Sequence, residues 1–176
     1  MTRAPAPLPH PARHGFTLVE MLVVIAIISI LGGLTLAALA SARRTAQEKA
    51  TAATIKVIES ALERYENDFG DYPPSDGDDS GLTGAENLLH CLSTDMKEGP
   101  YIKEGDINTI DSNHNDAREI SDQWVHPILY WHHRDYQNRA PNKRTFRLLS
   151  MGVDGVNQNG VKGSDDIVNW NKDRPE

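Results

Sequence analysis

Cysteine is almost absent from the sequence. Cys91 is the only one, so no disulfide can form within the chain. Aromatic residues are also scarce, at 6%, and a small domain with few large apolar side chains often needs a staple. Something other than a disulfide must therefore organise the C-terminal region. Cys91 itself is predicted to be a small, buried side chain.

Positive charge is also in deficit. The formal net charge is −7, and it falls mainly on the part of the chain after Ala50. A broad nucleic-acid surface needs clustered Lys and Arg, so no nucleic-acid partner is expected. The sequence has no recognisable nucleophile–base pair, no glycine-rich phosphate loop and no paired catalytic carboxylates, so enzyme function is not expected.

The sequence does contain a long apolar run. Between Leu18 and Ala40 the only ionisable side chain is Glu20, and a helix of this length crosses a hydrocarbon core of about 30 Å. A secretory signal peptide has a shorter apolar region, about 7–15 residues, with a small-residue cleavage site after it. The run therefore predicts a transmembrane helix over residues 16–40. A carboxylate inside such a helix is costly and predicts a partner.

The leader before this run, residues 1–15, contains Arg3 and Arg13 and no acid. The positive-inside rule keeps such a segment in the cytoplasm. The sequence therefore predicts a single-pass inner-membrane protein whose remaining chain lies on the outer, periplasmic side.

The helix is predicted to continue as an amphipathic helix over residues 41–69, because residues 41–68 contain neither Pro nor Gly. Pro73 and Pro74 then stop it. Spacings of three and four between apolar residues are typical of a helix face that packs on a sheet. That stripe comprises Ala46, Ala50, Ala53, Val57, Ile58, Ala61, Leu62, Tyr65 and Phe69.

Residues 70–176 are predicted to form a globular head. Residues 83–94 have the pattern of a short amphipathic helix, and aromatic and β-branched content predicts strands at residues 126–133 and 143–152. Residues 138–142 supply the turn between the strands, and the Gly-, Asn- and Asp-rich residues 153–170 form a loop. The predicted fold class is α+β: a long N-terminal helix packed on a small antiparallel sheet, with an ordered C-terminal loop.

Oxygen ligands are concentrated in this C-terminal loop. Calcium binds six to eight oxygens of carboxylates, amides and backbone carbonyls on flexible turns, and glycines between such residues allow the backbone to curl. Judged by composition alone, a loop of this kind is more often a solvated, Asx-rich turn than a metal site. The candidate side chains are Asp154, Asn157, Asn159, Ser164, Asp165 and Asp166.

Other polar clusters are weaker. Residues 111–122 imitate the oxygen spacing of an EF-hand, but Asp116 stands where the turn needs glycine, which favours a surface loop. His132 and His133 are adjacent and on a strand would point to opposite faces, which favours hydrogen-bonded or solvated histidines over a zinc site. A still weaker acidic cluster consists of Asp76, Asp78 and Asp79.

The segment GFTLVEMLVVIAIISILGGLTLAALA, residues 15–40, resembles the N-terminus of type IV pilins and type II secretion pseudopilins. The resemblance implies that a prepilin peptidase cuts between Gly15 and Phe16 and then methylates the new N-terminal amine of Phe16. It also implies that Glu20 pairs with the free amine of a neighbouring subunit.

Three further stretches resemble the major, G-type pseudopilin of type II secretion. ALERYENDFGDYPPS resembles that subunit's helix end, and DQWVHPILYW resembles its Asp-x-Trp-Gly-x-Pro-x-x-Tyr pattern, with Val125 in place of the glycine. Residues 148–170 resemble its C-terminal loop, Ser-Leu-Gly-Ala-Asp-Gly followed by Asp-Ile-x-Asn-Trp. The matching residues there are Ser150, Gly152, Asp154, Gly155, Asp166, Ile167, Asn169 and Trp170.

The resemblance implies a calcium ion held by the loop, with Asp154 and Asp166 as carboxylate ligands, and with Asp165, Ser164 and the Met151 carbonyl beside them. It implies a structural pseudopilin subunit that polymerises through its N-terminal helix into a filament driving protein export. Its partners would then be other copies of itself, minor pseudopilins, the inner-membrane secretion platform and prepilin peptidase. Two alternatives stay open: a type IV pilin for adhesion, motility or DNA uptake, and a membrane-anchored periplasmic module that never polymerises.

Overall fold

The computed structural model describes residues 15–77, 79–134 and 145–170. The leader up to residue 14, Asp78 and the turn predicted at residues 138–142 lie outside the described residues. Helix α1 runs from Leu18 to Phe69, a length of 52 residues, which confirms the predicted long N-terminal helix. The chain divides into two compact units between Ala42 and Arg43, here called the N-terminal segment and the head.

Within the head, α1 buries a single stripe of side chains at intervals of three and four residues. The stripe consists of Thr51, Ile55, Ile58, Leu62 and Tyr65. This spacing keeps the side chains on one face of a helix with 3.6 residues per turn. Burying each large apolar side chain contributes about 1.5–3 kcal/mol, so this face is a main source of the head's stability.

The predicted stripe is partly wrong. Val57 is 50% exposed, and Ala46 and Ala53 are exposed as well. Two residues along a helix correspond to a rotation of about 200°, so Val57 faces away from the buried Ile55. The row formed by Ala46, Ala50, Ala53, Val57 and Ala61 contributes only Ala61 to the core. Phe69, the last residue of the predicted stripe, is exposed as well.

Helix α2 runs from Leu82 to Ser93 and matches the predicted amphipathic helix. It buries Leu88, Leu89 and Leu92 in the core formed with α1. Gly84 allows α2 to pack closely against the backbone at Tyr130, because a Cβ at position 84 would collide with the Tyr130 carbonyl oxygen. Cys91, predicted to be buried, is only half-buried, and this partial burial raises the pKa of its thiol.

Two small antiparallel sheets complete the described part of the head. Strand β1, Thr109–Ile110, pairs with β2, Glu119–Ile120. Strands β3, Leu129–His132, β4, Phe146–Ser150, and β5, Ile167–Val168, form the second sheet in the order β3-β4-β5. The β3–β4 pair confirms the two predicted strands, and its register places Leu129 opposite Leu149. The sequence did not predict β1, β2 or β5.

The second sheet is buried on both faces. Tyr130 and Leu148 lie in the core with α1 and α2, whereas Leu129, Trp131 and Leu149 form a second cluster on the opposite face. Alternate residues of a strand point to opposite faces, which places neighbours in different clusters. The architecture is that of the predicted α+β class, a long helix with small antiparallel sheets.

Candidate functional site

Thr17 and Glu20 form a capping box at the start of α1. The backbone N–H and the hydroxyl of Thr17 donate to Glu20 Oε2 at 2.8 and 2.7 Å, and the Glu20 N–H donates to Thr17 Oγ1 at 3.2 Å. These bonds give acceptors to N–H groups at the end of the helix that have none inside it. The Thr-x-x-Glu spacing is the sequence signal for a capping box. The sequence-based interpretation of Glu20 as an intersubunit acid did not consider this signal.

The large apolar side chains from Phe16 to Leu39 are exposed. Phe16 is 78% exposed, and most large side chains from Leu18 to Leu39 are at least half exposed. By length and composition α1 is able to cross a membrane. Gly15 and Phe16, the predicted cleavage residues, lie just before the helix and are both exposed.

A buried carboxylate organises the turn before β3. Asp122 is 1% exposed, and its Oδ1 accepts the N–H groups of Trp124 and His126, both at 2.9 Å. Its Oδ2 accepts the Ser150 hydroxyl at 2.7 Å. The His126 ring in turn lies 3.1 Å from the Gly152 carbonyl oxygen through Nδ1. Asp122 therefore joins this turn to the start of the C-terminal loop.

Val125, which stands in place of the expected glycine, has φ 67°. This is the left-handed region, where a β-branched residue is strained and glycine is not. The pattern position thus requires a positive φ, and this chain fills it with valine.

A second hydrogen bond joins the helix exit to the stretch DQWVHPILYW. The buried Tyr130 hydroxyl donates to the Pro73 carbonyl at 2.7 Å, so the helix exit is attached to β3. At the far edge of the sheet, Asn169 Oδ1 accepts the Leu148 N–H at 2.9 Å. The residues that carry the resemblance are therefore mainly those that fasten loops to the sheet.

The C-terminal loop, residues 151–166, is closed by its own carboxylates. Asp165 Oδ2 accepts the N–H groups of Val153 and Asp154 at 2.8 and 3.1 Å. The two oxygens of Asp154 accept the Val156 N–H at 2.8 Å and the Gln158 side-chain amide at 3.1 Å. Both carboxylates therefore cap N–H groups of the loop itself, although Asp154 is exposed to solvent.

Asp166 occupies the inner side of the same loop. It is 1% exposed, and its Oδ2 accepts the N–H groups of Gln158 and Gly160 at 3.1 and 2.8 Å. Ser164 is half-buried, and its hydroxyl donates to the Val161 carbonyl at 2.8 Å. Met151 is half-buried against the second cluster. The five predicted ligand residues therefore share one loop, but the carboxylate oxygens of Asp154, Asp165 and Asp166 do not all lie within 4.8 Å of one another.

The types of oxygen in this loop are those that suit a hard cation such as calcium. Its carboxylate, hydroxyl and carbonyl oxygens are the ligand types that calcium takes. A carboxylate has about four lone-pair positions, so two hydrogen bonds leave room for a metal bond. Gly152 has φ 64°, and a Cβ there would lie 2.5 Å from the Asp165 carbonyl oxygen, so the tight curl requires glycine at this position. Arg44 and Lys162 line the outer side of the loop and reduce its net negative charge.

The EF-hand-like residues form a loop without flanking helices. Asp111 Oδ1 and Oδ2 accept the N–H groups of Asn115 and Asp116 at 3.2 and 3.3 Å. Glu119, at the end of the loop, is fully buried and accepts the Ser112 N–H at 3.1 Å. Burial raises the pKa of Glu119. The side chains of this loop therefore cap its backbone, as the favoured interpretation predicts.

The histidine prediction is wrong in one respect. Strand β3 ends at His132 and His133 begins a turn, so the alternation of faces stops there. The two rings have centroids 4.3 Å apart. His132 Nε2 lies 3.0 Å from Asp71 Oδ1, and this hydrogen bond lowers the pKa of Asp71. Within residues 15–77, 79–134 and 145–170, these three are the only group of three or more His, Cys, Asp or Glu with ligand atoms all within 4.8 Å.

Comparison with known proteins assigns the N-terminal segment to a known family. The family described as "Prokaryotic N-terminal methylation motif" matches residues 10–36, the region around Phe16 and Glu20. This match and the apolar helix define the class, a protein with a prepilin-type N-terminus that fits anchoring in an inner membrane. No solved structure matches the chain significantly.

Curated relatives identify the family within that class. The chain is 30% identical to type II secretion system core protein G of Escherichia coli strain K12 over 90% of this chain and 91% of the relative. It is 31% identical to the Vibrio cholerae protein of that name, over 89% and 91%. For the Pseudomonas aeruginosa protein the identity is 32%, over 90% and 95%.

The chain belongs to the family of type II secretion system core protein G. It is therefore a pseudopilin, a structural subunit and not an enzyme. Membership of this family also decides against the type IV pilin alternative.

Proposed function

We propose that this pseudopilin polymerises through its N-terminal helix into a filament that drives protein export. The observation that carries the proposal is Glu20, an acid inside a run of exposed apolar side chains from Leu18 to Leu39. A helix that served only as an anchor would gain a cap from this side chain but nothing from its charge, because a charged group inside the membrane is costly. A cationic partner on a neighbouring subunit would compensate the charge of Glu20.

The partner is the amine that processing creates. Cleavage between Gly15 and Phe16 leaves a cationic amine at Phe16, and methylation keeps its charge. An unpaired cation or anion in hydrocarbon costs several kcal/mol, so each subunit gains when a neighbour supplies the opposite charge. This contact is head-to-tail and does not close, so it generates a helical filament.

Two substitutions at Glu20 test this account. Glu20→Gln retains a side chain that suits the capping box but carries no charge, whereas Glu20→Ala removes both features. Both variants should reach the membrane and be processed, and both should form far fewer filaments, as measured by crosslinking between subunits. If Glu20→Gln assembles at the native rate, the charge pairing is wrong and capping is the role of this residue. Mass spectrometry of the membrane-extracted chain should show a methylated Phe16 at its N-terminus.

The proposed topology places the leader, residues 1–15, in the cytoplasm and the helix of residues 16–40 in the inner membrane. Residues 41–69 then form the amphipathic helix and residues 70–176 the remainder of the head, both in the periplasm, where minor pseudopilins join the filament. The inner-membrane platform and prepilin peptidase are the proposed membrane partners. Protease added to spheroplasts should degrade the head, and protection of the head would contradict this orientation.

We propose that a bound calcium ion stabilises the C-terminal loop. Asp154, Asp165 and Asp166 supply carboxylates, with Ser164 and the Met151 carbonyl as further oxygen ligands. Bound calcium would tie the loop to the sheet, the task that a disulfide performs in other small domains. The support for it is the oxygen-rich loop with its buried Asp166 carboxylate.

Thermal unfolding of the full chain in detergent tests the calcium proposal. Binding to the folded state at 100 times Kd adds about 2.7 kcal/mol, so calcium should raise the melting temperature and EDTA should reverse the rise. Asp154→Asn should weaken this response, whereas Asp111→Asn, a matched change in another loop, should not. An identical melting temperature in calcium and in excess EDTA would remove the proposal.

A further inference from the structure

We propose that Asp71, His132 and His133 form a second metal site in the head, which takes a transition-metal ion of the zinc class. The site is separate from the C-terminal loop and does not depend on the calcium proposal. Its basis is the convergence of two imidazoles and one carboxylate whose ligand atoms all lie within 4.8 Å of one another.

Ligand chemistry sets the class of ion. Imidazole nitrogens suit Zn²⁺, Cu²⁺ and Ni²⁺, whereas calcium prefers oxygen ligands only. Two histidines, one aspartate and a water molecule complete the tetrahedral shell that Zn²⁺ prefers. The oxygen-rich C-terminal loop and this cluster would therefore select different ions.

The distances require little rearrangement. In a tetrahedral zinc site with bonds near 2.1 Å, ligand atoms are about 3.4 Å apart. His132 Nε2 and Asp71 Oδ1 are already 3.0 Å apart. His133 lies in a turn and is half-buried, so rotation of its side chain can close the remaining gap.

The surroundings hold the ligands in place. The buried Ser75 hydroxyl accepts the His132 N–H at 2.9 Å, which fixes the end of β3. Arg134 holds Asp71 Oδ2 at 2.6 Å and leaves Oδ1 directed at His132. Carboxylates that bind a metal are usually hydrogen-bonded in this way. The Arg134 charge also opposes a cation, so this site should bind less tightly than a structural zinc cage.

Metal binding requires a change of tautomer at His132. Its Nδ1 accepts the Arg134 backbone N–H at 3.1 Å, so Nε2 now carries the ring proton and donates it to Asp71 Oδ1. An ion bound at Nε2 takes the place of that proton, which moves to Nδ1, and the bond from the Arg134 N–H opens. The exchange conserves the proton and needs no other reactant.

The experiment uses the full chain in detergent, stripped of metal and titrated with Zn²⁺ by calorimetry, and with Co²⁺ by visible absorption. The expected result is one ion per chain and the intense d–d absorption of tetrahedral Co²⁺. Asp71→Asn and His133→Gln should each weaken binding by at least about 10-fold, since even the loss of an outer-shell partner costs that much. His90→Gln, a change at an exposed histidine of α2, should leave binding unchanged.

Three results would overturn the site: no stoichiometric binding by the native chain, native affinity in both Asp71→Asn and His133→Gln, or loss of affinity in His90→Gln. Asp165→Asn should also leave Zn²⁺ binding intact, since its carboxylate lies in the other loop. Melting temperatures recorded without metal check that the variants remain folded. If one ligand variant unfolds, the other decides the result.

Discussion

The hydroxyl of Ser150, at the end of β4, donates to Asp122 Oδ2 at 2.7 Å, and both side chains are buried. The same carboxylate binds two backbone N–H groups of the turn that leads to β3. One aspartate therefore couples a turn to the strand from which the C-terminal loop departs.

Ser150→Ala should destabilise the head by about 1–3 kcal/mol, because it removes the donor to a buried carboxylate oxygen. Thermal unfolding followed by tryptophan fluorescence measures the loss. Ser60→Ala, on the exposed face of α1, is the control and should change the free energy of unfolding by less than about 0.5 kcal/mol. Equal stability of both variants would show that Asp122 does not need this bond.

Val125→Gly should stabilise the protein by about 0.5–1 kcal/mol. The left-handed conformation costs a side-chain-bearing residue about 1–2 kcal/mol, and glycine loses about 0.5–1 kcal/mol through the entropy of the unfolded chain. Val125 is 63% exposed, so little packing is lost. Val161→Gly, at an exposed valine without a positive φ, should destabilise. The same sign for both exchanges would contradict this explanation.

Glu119→Gln should change how stability depends on pH. Burial raises the pKa of Glu119 above its ordinary 4.5, so the folded state binds the proton more tightly than the unfolded state does. This group's contribution is therefore full below pH 4.5 and is lost as the pH rises through the raised pKa. Melting temperatures measured from pH 4 to 7 should favour the glutamine variant increasingly toward pH 7. A difference between variant and native chain that stays constant over this range would refute the shift.

Arg147→Lys should destabilise the head by about 1 kcal/mol. The Arg147 guanidinium carbon lies 4.0 Å from the ring centroid of Trp170 and 5.7 Å from that of Trp131. A planar guanidinium stacks on such rings, whereas an ammonium ion is more strongly hydrated and does not stack. Thermal unfolding measures the effect, and Arg43→Lys at an exposed arginine is the control. A lysine variant as stable as the native chain would show that the charge alone matters.

The sequence predicted the elements whose signals are local. Helix α1 follows from an uninterrupted run without proline, and β3 and β4 follow from their aromatic and β-branched residues. Strand β5 was missed because Ile167 and Val168 are two residues in a polar loop, and only their pairing with β4 makes them a strand. The approach of His132, His133 and Asp71 was missed for a similar reason. It depends on where β3 ends and on a residue 61 positions earlier in the chain.

The capping box of Thr17 and Glu20 has a consequence for how growth of a polymer would begin. In a single copy of the chain, two donors from Thr17 already satisfy the Glu20 carboxylate. When subunits dock, the Phe16 amine of a neighbour would replace the Thr17 donors at the Glu20 carboxylate. The free energy gained is the difference between these two hydrogen-bonded states. The gain on docking would therefore be smaller than the full cost of an unpaired carboxylate in hydrocarbon.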